Sequence, residues 1–180
     1  VTTLVAFTVL VALVGLERLA ELVVSKRNAD WSMERGGVES GRGHYPFMVV
    51  LHTGLLAGAL AEAWLRRPDV PSLLAWSMLA LVVASQALRW WCITTLGPRW
   101  NTRVIVVPGL APVASGPYAL FKHPNYVAVV VEGCALPLVH AGWITAAVFT
   151  VLNAGLLAVR IRAEDAALAT LPPTTEAARA

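Results

Sequence analysis

The chain has 180 residues, of which 57% are hydrophobic and only 14% charged, and a mean hydropathy of +0.66, against roughly 45–50% apolar and about 25% charged in soluble domains. That composition excludes an ordinary soluble domain. The net charge of +3 and pI near 9.2 come from 14 Lys and Arg placed mostly at the ends of apolar segments. They form no basic stripe of the kind that tracks nucleic acid.

A bilayer core about 30 Å thick takes roughly 20 apolar residues as a helix, and in chain order five windows approach that length. The first, Thr2 to Val24, lacks the basic start and small-residue cleavage site of a signal peptide and is expected to stay in the mature protein. The second runs from Tyr45 to Leu65, between Pro46 and Arg66-Arg67-Pro68, and the third from Leu73 to Leu96, closed by Gly97-Pro98. Between Asn101 and Pro117 the helical pattern breaks into an irregular, interfacial loop that holds a β-like Arg103–Val107 run. The fourth window, Tyr126 to Val139, is short enough to be tilted or partly inserted; His140-Ala141-Gly142 turns it tightly into the fifth, Trp143 to Val159. After Leu171, Pro172-Pro173-Thr174-Thr175 reads as the start of a disordered tail, 172–180. The expected architecture is all-α and polytopic, with about five transmembrane helices in one domain, 1–171.

Orientation follows from where Lys and Arg fall between the spans. One side collects ten (Lys26, Arg27, Arg35, Arg42, Arg99, Arg103, Lys122, Arg160, Arg162 and Arg179) and the other two, Arg66 and Arg67, while Arg18 and Arg89 lie within spans. The expectation is an N-terminus outside and a cytoplasmic C-terminus, with the 26–44 loop and the 98–123 segment also inside.

Ionisable residues inside spans are costly and so have a pairing or functional role by default. Glu17 and Glu21 share one face of the first helix, and Arg18 reaches Glu21 at i+3; they form either a structural ion pair or a polar wall for a substrate head group. Arg89 sits one turn after Gln86 and just before Trp90-Trp91. Glu132 lies deeper, to pair with Arg89 or Arg18 or to act as a base. Cys92 and Cys134 lie in apolar runs, and His44, His52, His123 and His140 have no helical ligand spacing, so neither a disulfide framework nor a metal site is expected. Gly36-Gly37, Gly41 and Gly43 lack the strand and spacing of a dinucleotide turn.

The most distinctive stretch is Gly116-Pro117-Tyr118, then Lys122-His123-Pro124-Asn125-Tyr126, followed after the hairpin by Arg160-Ile161-Arg162-Ala163-Glu164-Asp165. In order and spacing it resembles the isoprenylcysteine carboxyl methyltransferase family of integral membrane enzymes, whose pattern is G-x-Y, R-H-P-x-Y, a hairpin and R-x-x-x-E. The resemblance covers about 86–171, and the bacterial branch also shares Trp100-Asn101-Thr102 and Glu17-Arg18-x-x-Glu21. Departures are Lys122 for Arg, Asp165 for the second Glu, and Val127-Ala128 in place of a glycine after the tyrosine.

The resemblance implies S-adenosylmethionine as cofactor in a cytoplasmic-side pocket, bound by Tyr118, His123, Pro124, Asn125, Tyr126 and Glu164. Arg160 then faces the methyl acceptor; beside the resemblance, the residues in the spans offer Glu17, Glu21 and Arg89 as further substrate contacts, and Glu132 or Glu21 as a catalytic base if the acceptor is a phenol. The chemistry is consistent, since aromatic faces stabilise a sulfonium cation without quenching it. The bacterial branch implies O-methylation of a lipophilic acceptor such as an alkylpyrone or alkylresorcinol in the inner (plasma) membrane, with the bilayer but no evident protein as partner. Alternatives are isoprenylcysteine-type carboxyl methylation, an NADPH-dependent sterol-type reductase, whose R-H-P-N-Y is similar, and a non-enzymatic transporter or scaffold.

Overall fold

A computed structural model describes residues 2–173; residues 174–180 of the expected tail, with Arg179, lie outside the described residues. Five helices carry the chain: α1 (Thr2–Met33), α2 (Tyr45–Arg66), α3 (Ser72–Leu96), α4 (Pro124–Leu138) and α5 (Trp143–Leu168). With their flanking turns, α1, α2, α3 and α5 are long and apolar enough to cross a membrane, and only 17–22% of each apolar window is buried inside the chain. The remaining apolar surface, from Val9 and Leu13 on α1 to Trp76 on α3 and Val151 on α5, faces outward as a lipid-solvated bundle requires. At 15 residues, α4 is about 22 Å long, short of a full bilayer core.

Two helices outrun the expected spans. α1 continues nine residues past Val24 to Met33, and α5 continues past Val159 to Leu168. The reason is tertiary: the polar turns of α1 dock the segment after α3, with Asn28 Nδ2 donating to the carbonyls of Gly97 (3.1 Å) and Trp100 (2.7 Å). Ser25 Oγ accepts from the Thr102 amide at 3.0 Å and donates to Asn101 Oδ1 at 2.9 Å. The expected loop also contains a strand, β2 (Val104–Val106), paired antiparallel with β1 (Val38–Ser40) in register Val38↔Val106. β1 has three residues and no alternating apolar pattern, so it leaves no signature in the sequence.

The interior divides along the bundle axis. One end is a dry core of Leu4, Phe7, Val11 and Val14 on α1, Ala59 and Ala63 on α2, Val82 on α3, and Ala135 and Leu136 on α4. There Gly133 lets the Phe149 ring of α5 lie directly on the α4 backbone, where a Cβ would overlap it. Glu62 of α2 caps α5 by accepting the amides of Ile144 (3.2 Å) and Thr145 (2.9 Å) and the Thr145 hydroxyl (2.8 Å), satisfying orphan donors at the start of that helix. The other end is polar and hollow.

Candidate active site

Between the dry core and the hollow end lies a buried ionic cluster drawn from three helices. Glu132 Oε2 on α4 receives Arg18 of α1 at 3.2 Å and Arg89 of α3 at 3.1 Å. Arg18 also reaches Glu21 at 2.6 Å and Gln86 Oε1 at 2.7 Å, and Arg89 Nε stands 3.5 Å from Glu21 Oε1. Glu21, Arg89 and Glu132 are only 3–6% exposed, a burial that charges tolerate when paired with one another. Glu17 sits at the edge of the cluster, with Oε2 3.6 Å from Arg18 and Oε1 accepting the Trp90 indole N–H at 2.5 Å.

Two cavities open beyond this cluster. The first, about 350 Å³, is lined by Arg99 to Val107 apart from Thr102, by Tyr118, Lys122 and His123, and by Asn125, Tyr126, Arg160 and Glu164. The second, about 210 Å³, lies between α1, α2, α4 and α5 and is lined by apolar Leu22, Val49, Leu55, Leu56, Val129 and Leu157 together with Arg18, Glu21, His52, Arg89 and Glu132. Trp100, Asn125, Tyr126 and Arg160 line both.

The junction is built by the first turn of α4 against the polar extension of α5. Pro124 occupies the first helical position, where its missing N–H costs nothing and its fixed φ suits the helix. That start places Tyr126 one turn above the α5 face that carries Arg160 and Glu164, which are four residues apart and so side by side. Tyr126 Oη donates to Glu164 Oε2 and accepts from Arg160 Nε at 2.8 Å. The Arg160 guanidinium also lies 5.6 Å from the Tyr126 ring centroid and contacts Met48 Sδ at 3.0 Å.

His123 stacks on Tyr126 with centroids 5.5 Å apart. Its Nε2 bonds Asp165 at 3.1 Å, and its Nδ1 stands 3.6 Å from Glu164 Oε1, an ionic contact rather than a hydrogen bond. Interaction with Glu164 is the main cause holding the His123 pKa above its ordinary value, with Asp165 adding to it against the opposing effect of burial. Burial, and then the neighbouring Cys92 thiol, push the Tyr118 phenol above its usual range, so it stays a neutral donor.

Of the residues singled out in the sequence, Tyr118, His123, Asn125, Tyr126 and Glu164 gather on the first cavity, Pro124 supports them from the buried start of α4, and Arg160 stands at the junction. Glu21, Arg89 and Glu132 line the second cavity, and Glu17 lines neither. Met48 and His52, one turn apart on α2, were not singled out as site residues. The signal in the sequence is a histidine inside an apolar span, without metal-ligand spacing.

The fold and this constellation define a polytopic helical membrane protein with a polar, two-chambered pocket at one end of its bundle. The Isoprenylcysteine carboxyl methyltransferase (ICMT) family pattern matches residues 78–170, which span α3 to α5 and hold the whole junction. The chain is also 38% identical over 162 residues to the uncharacterized protein YpbQ of Bacillus subtilis (strain 168), an alignment covering 90% of this chain and 96% of the relative. This chain belongs to the isoprenylcysteine carboxyl methyltransferase family. No solved structure matches it.

The family uses S-adenosylmethionine, and the first cavity fits such a group on its own chemistry. Its volume of about 350 Å³ falls within the range of about 300–1,000 Å³ for small-molecule sites. Three buried polar atoms on its lining residues, Trp100 Nε1, His123 Nδ1 and Asn125 Oδ1, have no hydrogen-bond partner, and buried polar groups left so are costly unless a ligand satisfies them.

Proposed function

We propose that this protein is an S-adenosylmethionine-dependent O-methyltransferase that takes its cofactor in the first cavity and a lipophilic acceptor, an alkylpyrone or alkylresorcinol, in the second. The observation that carries the reading is the Tyr126–Arg160 pair, which borders both cavities and so stands where a donor on one side meets an acceptor on the other. When bound, the cofactor supplies an electrophilic methyl group on a sulfonium sulfur. The Tyr118 and Tyr126 rings offer that cation aromatic faces. Glu164, with His123 behind it, accepts hydrogen bonds from an amine or ribose hydroxyl, and the unpartnered Asn125 Oδ1 and Trp100 Nε1 add one acceptor and one donor.

Arg160 holds the acceptor oxygen. Its Nε is fixed by Tyr126, and the guanidinium retains further donors for an oxygen in the second cavity. The rate would come chiefly from this alignment and from the exclusion of water by the surrounding apolar walls. Glu21 and Arg89 form the polar wall that receives the acceptor's ring, while Glu132 holds Arg18 and Arg89 in place. The Lys and Arg asymmetry supports a plasma-membrane orientation with the hollow end at the cytoplasm, where the cofactor is made.

Calorimetry on detergent-purified protein tests the reading directly. Saturable binding of S-adenosylhomocysteine, lost in His123→Ala, with no binding of NADPH, is expected. Binding of NADPH alone would overturn it in favour of a reductase, and binding of neither would leave a non-enzymatic membrane protein.

A further inference from the structure

The second cavity carries a titratable group that the reading above does not use. His52 lies on α2 one turn beyond Met48, whose sulfur touches Arg160, and it lines the same cavity as Arg160 and Tyr126. Its Nδ1 is 2.8 Å from the Met48 carbonyl oxygen; a carbonyl only accepts, so Nδ1 carries the proton. In the neutral ring the lone pair is then at Nε2. Nε2 has no hydrogen-bond partner among the described residues, and the ring plane is set by edge-on contact with Phe149, centroids 5.4 Å apart.

Three groups on this wall could receive a proton, and their surroundings differ: Glu21 is held by Arg18 at 2.6 Å with Arg89 3.5 Å away. Glu132 Oε2 already receives two guanidiniums, whereas His52 Nε2 is uncommitted. The charged groups around the ring are Arg18 and Glu21 from α1, Arg89 from α3, Glu132 from α4 and Arg160 from α5, with Tyr45 and Tyr126 also on the wall. The carboxylates are matched to Arg18 and Arg89, and none of them bonds the imidazole.

We infer that His52 is the general base of this site and that the acceptor is a phenol, rather than a carboxylate or an acidic enol that arrives already ionised; this rests on the methyl-transfer reading. The acceptor O–H bond breaks and its proton passes to His52 Nε2. The freed oxygen pair forms the new O–C bond to the methyl carbon as the C–S bond breaks, leaving its electrons on sulfur as a thioether. The His52 imidazolium then gives its proton to water in the open cavity. Positive charge passes from sulfonium to imidazolium, so atoms and charge balance. A carboxylate acceptor has no proton to lose and would leave His52 without a task.

The chain has 4 histidines, which makes histidine-selective ¹⁵N NMR on the detergent-solubilised full chain practical. In the absence of cofactor, one unprotonated ring nitrogen, identified by its loss in His52→Gln, is expected to shift on adding 5-pentadecylresorcinol and to stay put with its dimethyl ether. No shift, or the same shift with the ether, would overturn the assignment. In turnover with the resorcinol, His52→Gln should lower kcat by about 10²–10⁴-fold with KM changed by less than about 3-fold. A kcat within about 3-fold of wild type would also overturn it. Wild-type protein that binds S-adenosylhomocysteine while its His52 signal ignores the phenol sinks only the base; wild-type protein that does not bind S-adenosylhomocysteine sinks the methyltransferase reading with it.

Discussion

Lys122 Nζ lies 2.8 Å from Asp165 Oδ1, so two positions at which this chain departs from its family's pattern touch each other. A shorter carboxylate meets a point-charge ammonium where the pattern has a longer carboxylate and a guanidinium fork, and the exchange keeps opposite charges in contact. The pair is solvent-exposed, with side chains 70% and 36% accessible, and pairs of that kind contribute little to stability. Its relevance is positional: Asp165 also holds His123 Nε2 at 3.1 Å. Lys122→Arg should therefore leave S-adenosylhomocysteine affinity unchanged, while Asp165→Asn should weaken it through His123. Calorimetry that finds Lys122→Arg the more damaging would contradict this ordering.

Glu164 has the more demanding place. It accepts the Tyr126 hydroxyl and faces His123, so Glu164→Gln removes a charge that both neighbours use and that the proposed reading assigns to the cofactor. Hydrogen bonds to charged groups contribute about 1.5–3 kcal/mol, which corresponds to roughly 10- to 150-fold in S-adenosylhomocysteine affinity. Arg160→Lys keeps a cation but loses the planar fork that grips Tyr126 and that the proposed reading assigns to the acceptor. Its cost should fall chiefly on acceptor turnover, with a smaller loss of cofactor affinity passed through the Arg160–Tyr126–Glu164 hydrogen-bond chain. Equal loss of both properties in both variants would show that the roles are not divided between these residues.

The ionic cluster predicts strong coupling. Removing one partner of a buried pair leaves an uncompensated charge and costs about 3–5 kcal/mol, whereas replacing the whole pair by apolar groups is often neutral. Glu132→Leu should thus melt well below wild type in detergent, and adding Arg89→Met should recover part of the loss. If the two losses simply add, the 3.1 Å contact is not energetically real.

Much of the fold could be read from composition because lipid permits little else: apolar windows of spanning length must be helices that satisfy their own backbone. The helix extensions were not legible, since Ser25 to Met33 and Arg160 to Leu168 carry polar residues that a hydropathy window ends on, and their helicity depends on docking. The cluster of His123, Tyr126, Arg160 and Glu164 was legible because the segments on either side of the hairpin resemble the family's motifs in order and spacing. Met48, His52 and the Glu62 cap depend on which faces of α2 and α5 meet, and a single sequence does not encode that in any local pattern.

Orientation is testable apart from chemistry. With Cys92 and Cys134 replaced by alanine, a cysteine at Asp69, between α2 and α3, should react with a membrane-impermeant maleimide in intact cells. One at Gly109, in the loop after β2, should react only after permeabilisation. The reverse pattern would place the hollow end outside, away from cytoplasmic S-adenosylmethionine.

The raised His123 pKa makes a pH-dependent stability prediction with a definite sign. A histidine that gains acidic partners on folding is protonated in the folded state to higher pH than its unfolded value near 6.5, so its contribution is complete below about pH 6.5. That contribution is lost as pH rises through the elevated folded value, because the folded state then releases the proton it held against Glu164 and Asp165. His123→Gln keeps a neutral hydrogen-bonding group without the charge. The melting temperature of wild type should therefore exceed that of His123→Gln most at about pH 6, and the gap should narrow steadily toward about pH 9. A gap that stays constant across that range would mean the imidazolium is not what binds α4 to the end of α5, and that packing on Tyr126 is.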